Sequence, residues 1–154
     1  MADRFRFRPR FRGVAWSAIA VGALIAGFAA IAGAGITPIA IGLTGVVFGG
    51  AYLASPTWRI AVVVDDDGLA VTGAGARSFR VAWPEIAKVT ASPTTRTCHV
   101  DGGAPARSLI VPGVGAIAPY AIERSGDLYD AIVARVDRAR IAEVATLDGE
   151  APVA

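Results

Sequence analysis

Residues 13–58 read GVAWSAIAVGALIAGFAAIAGAGITPIAIGLTGVVFGGAYLASPTW, 46 positions without one Asp, Glu, Lys, Arg or His. A helix that crosses a bilayer takes about 20 apolar residues. The stretch therefore predicts a transmembrane hairpin over 13–56, with helices over about 14–33 and 38–54 and a tight turn between them. Gly33 and Gly35 suit the left-handed residue that ends a helix. Thr37 is the expected cap of the second helix and Pro38 its expected first residue. Ser55-Pro56 closes that helix, because proline cannot continue the hydrogen-bond ladder. No polar stripe runs along either helix, which argues against a buried soluble hairpin. Ala32-Gly33-Ala34 resembles a leader-cleavage site. Against cleavage, the apolar run before it is long for a leader and a second span follows at once.

Charge reads differently by position than in total. The 154 residues carry a net +2, with 54% hydrophobic and 18% charged side chains. That balance excludes a disordered chain, which would be apolar-poor. Residues 1–12 hold five Arg against Asp3, whereas residues 59–154 hold ten cations against twelve acids. Basicity thus sits in a short segment, expected to be a cytoplasmic tail over 1–12, and not on a folded face of the kind that binds nucleic acid. No nucleic-acid partner is expected. Arg4, Arg6, Arg8, Arg10 and Arg12 precede the first span and the turn has no charge, so the N-terminus stays cytoplasmic. Two spans return the C-terminal region to the same side of the plasma (inner) membrane. Trp16, Tyr52 and Trp58 fall at the inner interface, where aromatic rings anchor. The Arg/Phe tail is either an interfacial anchor on the lipid bilayer or a topology signal alone.

Small residues recur along the spans. Ala18, Gly22, Ala26 and Ala30 are four apart on the first helix, and Gly45 and Gly49 are four apart on the second. Small residues let helix backbones approach closely in lipid. They are expected to pack the two helices together; contact with a second copy or with a larger membrane assembly is the other use. No ionisable group lies in the spans, so no proton or ion path is expected there.

Residues 57–145 read as short strands followed by one helix. Strands are expected over 59–64, 69–72, 77–82, 86–91, 95–100 and 107–111, a spacing that suggests a small sandwich or barrel. Asp65-Asp66-Asp67-Gly68 is a hairpin turn with Gly free for a positive φ; the aspartates are read as a solvated turn. Gly73-Ala74-Gly75-Ala76 is a loop, and Asp101-Gly102-Gly103 a further turn. The last element is a helix over about 127–144, with Leu128, Ile132, Val136 and Ala139 as its apolar stripe and Ser125 or Asp127 as cap. Arg135, Arg138 and Arg140 are expected to be solvated, and 146–154 to be a disordered end.

These pieces, in this order, resemble bacterial membrane proteins with a PH-like domain, particularly a small actinobacterial type. The matching stretches are Phe7-Arg8-Pro9-Arg10, the run from Val64 to Val71, the run Arg80-Val81-Ala82-Trp83-Pro84-Glu85-Ile86-Ala87-Lys88-Val89, then Val100-Asp101-Gly102-Gly103 and the helix from Asp127. The Trp-x-x-Ile-x-x-Val piece carries most of the weight. The resemblance implies a two-helix membrane hairpin and then a PH-like α+β or all-β domain, a small sandwich or barrel closed by a C-terminal helix. Trp83, Ile86, Val89, Leu128, Ile132 and Val136 would form its core. Many eukaryotic PH domains bind phosphoinositides through basic residues at the first hairpin, where this chain has three aspartates.

Catalytic constellations are weak. The single Cys and single His are adjacent at Cys98-His99, and neighbours on a strand point to opposite faces. Zinc spacing and an EF-hand ligand series are both missing. No enzyme activity, metal or cofactor is expected. The functional expectation is a membrane-anchored interaction or scaffold module on the cytoplasmic face, accessory to a larger assembly. Its partner would be a membrane or cytoplasmic protein or a second copy. The alternative is a membrane sensor whose PH-like domain takes a lipid or a small ligand.

Overall fold

The structure is a computed structural model that describes residues 2–73, 78–116 and 118–147. Part of the expected loop at 73–76, the start of the strand expected from Arg77, and most of the expected disordered end lie outside the described residues. The chain forms two compact units, Pro9–Ser55 and a second made of Met1–Arg8 together with Pro56–Ala154.

The first unit is a helical hairpin, α1 (Arg12–Ala32) and α2 (Ile36–Leu53). Both helices are long and apolar enough to cross a membrane. Gly33, with φ 62°, ends α1, and the Ala34 amide returns to the Ala29 carbonyl at 3.0 Å. This is the left-handed C-terminal motif that glycine favours. The cap of α2 is Gly35, at φ 85°, and no side chain bonds the helix end. Thr37 is therefore not the cap, and Pro38 stands third in the helix instead of first. It still lies in the first turn, where an amide has no intrahelical partner to lose.

Among the described residues, the second unit holds nine strands and one α-helix. They are β1 (Asp3–Pro9), β2 (Ala61–Val64), β3 (Gly68–Thr72), β4 (Phe79–Ala82), β5 (Lys88–Ser92), β6 (Thr97–Asp101), β7 (Ser108–Val111), β8 (Tyr120–Ile122), α3 (Ser125–Arg135) and β9 (Ile141–Glu143). One sheet runs β4-β3-β2-β1-β8 and the other β7-β6-β5-β9. The described pairings are antiparallel except β5 with β9, which is parallel. A single core joins residues of both sheets to Leu128, Tyr129 and Ile132 of α3, and α3 packs on both β2 and β7.

The largest departure from expectation is at the N-terminus. The segment expected to be a basic tail is β1, near the middle of the first sheet, with Arg4 opposite Val63 and Arg6 opposite Ala61. Alternating rings and cations have the period of a strand. Phe5 and Phe7 turn inward, 2% and 7% exposed, and Arg4, Arg6 and Arg8 turn outward. Those two rings fill the core, not the headgroup region. The folded domain is therefore not the continuous segment 57–145: the whole helical hairpin is inserted between two adjacent antiparallel strands.

The C-terminal helix is also shorter than expected. It ends at Arg135; Val136 is extended yet buried, and Ala139 lies in a 3₁₀ turn off the stripe. Asp137 accepts a bond from the Ala139 amide at 3.0 Å, a local side-chain bond that competes with helix. The freed chain becomes β9. Arg140 is more than a solvated cation: its Nη1 donates to the Pro84 carbonyl and, at 2.7 Å, to that of Ile86. Neither Ser125 nor Asp127 caps α3; Arg124, in the left-handed region at φ 53°, holds that position. The 59–64 strand likewise starts late, behind a 3₁₀ turn over Pro56–Arg59.

Candidate functional site

The seam of the helical hairpin is lined by its smallest residues. Ala15, Gly22 and Ala29 are the buried residues of α1, and Gly42 and Gly49 those of α2. Gly22 and Gly42 lie face to face, so a Cβ on either would run into the carbonyl oxygen of the other. A Cβ on Gly49 would lie 2.7 Å from the Ala15 oxygen, and one on Gly45 3.0 Å from that of Ala18. Ala26 flanks Gly42, but Ala30 is exposed and outside the seam. A four-residue step advances about 40° around the helix, so Ala30 stands about 120° from Ala18. A seven-residue step drifts only about 20°. The fours thus place Ala18, Gly22, Ala26, Gly45 and Gly49 in the seam and miss only Ala30, while the spacing 15-22-29 against 42-49 follows its buried line. Large side chains point away from it: Leu24, Phe28, Ile31 and Phe48 are 72–90% exposed. This inverts the packing of a soluble protein, where such residues are interior. Near the start of α1, Trp16 is exposed and the Tyr52 hydroxyl accepts from the Phe11 amide at 3.0 Å. Trp58 is half-buried in its 3₁₀ turn.

The second place is the outer face of the first sheet. Register puts Arg4, Val63, Ala70 and Arg80 in one row across four strands, and Arg6, Ala61 and Thr72 in the next. Arg8 pairs with Glu123 at 2.7 Å, and Arg80 with Asp65 at 2.9 Å. Beneath, Phe7 stacks on Tyr120 at 4.8 Å and the Arg124 guanidinium lies 5.1 Å from the Phe5 ring centre. Positive charge therefore does sit on a folded face, contrary to the expectation from the tail. Residues 1–8 bring a net +2, so the β unit is neutral overall and not −2.

The third place is the turn at Asp65. Its Oδ1 accepts the amides of Asp67 and Gly68 at 3.0 and 2.8 Å, and its carbonyl accepts the Trp83 indole N–H at 3.1 Å. The turn is thus more than solvated aspartates. Gly68 is not among the described glycines with positive φ; a Cβ there would run into the Val81 carbonyl. Trp83 is half-buried, whereas Ile86, Val89, Leu128 and Ile132 are fully buried and Val136 nearly so. The Gly68 amide, helped by the Asp67 amide and Arg80, holds the Asp65 carboxyl below the ordinary range against partial desolvation. A carboxyl lowered in the folded state stabilises above its unfolded value, about 3.9. That stabilisation is lost as pH falls through the folded value. The melting temperature of Asp65→Asn is expected to lie below that of the wild type at pH 7 and to converge on it as the pH falls through the folded-state value of the carboxyl. A constant gap across that range would show that the carboxylate charge is irrelevant.

Cys98 and His99 lie on β6 with opposite orientations. Cys98 is fully buried, and burial pushes its thiol up to about 12, so it is no nucleophile near neutrality. Among the described residues, no cluster of three or more His, Cys, Asp or Glu could hold a metal ion. No protein-family model, no curated protein and no solved structure matches the chain.

Proposed function

We propose that the protein is a membrane-anchored, non-catalytic interaction or scaffold module of PH-like architecture on the cytoplasmic face of a bacterial plasma membrane, accessory to a larger assembly. One observation carries the reading: the apolar hairpin interrupts the sheet between paired strands, Asp3 opposite Val64 and Arg6 opposite Ala61. If the helices span, β1 and β2 must lie on the same side, and two chain crossings hold the folded unit at the surface. The side follows from the cations, since Arg10, Arg12 and Arg59 flank the spans and the turn at 33–35 carries none. Two sheets and a helix around one core support the PH-like reading, and the buried, weakly acidic Cys98 supports a non-catalytic one.

Topology reporters test the membrane half of this reading. Fluorescent protein fused after residue 154 is expected to mature in the cytoplasm, and alkaline phosphatase placed between Ala34 and Gly35 to be active outside it. The reverse pattern would overturn the orientation. Purification from native membranes in mild detergent tests the other half. A stoichiometric protein partner is expected; a chain that purifies alone and binds a small ligand instead would favour the sensor.

A further inference from the structure

We propose that the outer face of the first sheet is a second membrane contact, in which Arg4 and Arg6 bind the headgroups of anionic lipids. In the first row only short side chains, Val63 and Ala70, stand between Arg4 and Arg80; in the second, Arg6 is followed by Ala61, which is buried, and by exposed Thr72. No bulky side chain of these rows stands between the exposed arginines of this face. The acids bordering it are already engaged, Glu123 by Arg8 and Asp65 by Arg80. Among the described residues, Arg4 and Arg6 have no ion pair or side-chain hydrogen bond, and both are exposed. Guanidinium groups without a protein carboxylate fit phosphate oxygens bidentately.

The covalent chain selects the phosphate source. Arg6 precedes Arg12, where α1 begins, by six residues, a reach of at most about 21 Å. Negative surface potential extends over about one Debye length, roughly 8 Å at physiological salt. A tether that short makes the contact intramolecular, so a weak ionic attraction is effective at high local concentration. A free nucleic acid has the same phosphate chemistry but no such tether. The inference rests on the hairpin spanning the membrane.

The test uses the full chain in nanodiscs, with Thr72→Cys carrying a nitroxide label on the same face, two strands from Arg6. Cys98 is buried and stays unlabelled. In discs with 30% phosphatidylglycerol, accessibility of the label to an aqueous nickel chelate is expected to be at least threefold lower than in phosphatidylcholine discs. High salt or Arg4→Gln with Arg6→Gln should abolish the difference, and Arg4→Lys with Arg6→Lys should largely restore it. Unchanged melting of the double Gln variant confirms that the fold is intact. Equal accessibility in both lipids, or protection that persists without the two arginines, overturns the proposal. So does Arg4- and Arg6-dependent binding of a mixed-sequence RNA with no lipid effect. A chain that fails to co-elute with the discs overturns the spanning reading itself, a distinct outcome.

Discussion

A chain in which Asn-Gly replaces residues 9–58 is expected to be soluble and to melt cooperatively, whereas residues 57–154 alone are expected not to fold. The register of β1 with β2 makes the first part concrete. Arg6 lies opposite Ala61, and the Phe7 amide donates to the Ile60 carbonyl at 3.0 Å. Arg8 and Arg59 would then flank a two-residue turn, which Asn-Gly closes with the twist a hairpin needs. The second part follows from what the fragment lacks. Phe5 and Phe7 are nearly fully buried, and removing a buried aromatic ring costs about 3–5 kcal/mol. Two such losses rival the roughly 5–15 kcal/mol by which a whole domain is stable. The fragment also leaves β2 and β8 with unpaired edges where β1 had lain between them. Circular dichroism and thermal melting decide the matter. A sigmoidal melt from the fragment, or a featureless one from the joined chain, would remove β1 from the domain.

Gly42→Leu is expected to break the helical hairpin, and Gly27→Leu to leave it intact. At Gly42 a Cβ meets backbone: the Gly22 carbonyl oxygen, and the Ala26 nitrogen at 2.6 Å. Backbone cannot swing aside as a side chain does, so the helices must separate along the seam. Overpacking of this kind costs about 1–3 kcal/mol. It also spoils the neighbouring contacts at Gly45 and Gly49. Gly27 has nothing within 4 Å of a Cβ, and an exposed substitution there should change stability by no more than about 0.5 kcal/mol. Thermal denaturation in mild detergent should show Gly42→Leu well below wild type and Gly27→Leu beside it. Leu is a better helix former than Gly, so equal loss in both would mean that the close approach at Gly42 is not what holds the helices together.

Much of this architecture is legible in the residues. The uncharged run from Gly13 to Trp58 announces two apolar helices whatever surrounds them, because only length and hydropathy are needed. The corner at Trp83, Ile86 and Val89 is a local pattern and lands in the core. Long-range pairing was not legible. Arg4-Phe5-Arg6-Phe7-Arg8 has the alternation of a half-buried strand, yet its partners lie beyond 50 intervening residues, and the cations beside a span suggested a tail. The stretch after Val136 misled for the opposite reason. Its apolar spacing fits a helix, but a parallel place beside β5 was open to it, and Asp137 bonds its own backbone instead of continuing the turn. Of the contact surfaces, the seam could be read only in part. A period of four catches neighbouring small residues, but only a period of seven follows one face along five turns.

The position of β1 has a consequence for biosynthesis. It lies between β2 and β8, two strands made long after it; its Arg8 pairs with Glu123, 115 residues later. Between them the ribosome must make both apolar helices. The sheet therefore closes only after both apolar helices have been made. Until then Phe5 and Phe7 have no complete core to enter, so the two ends of the domain wait on everything made between them.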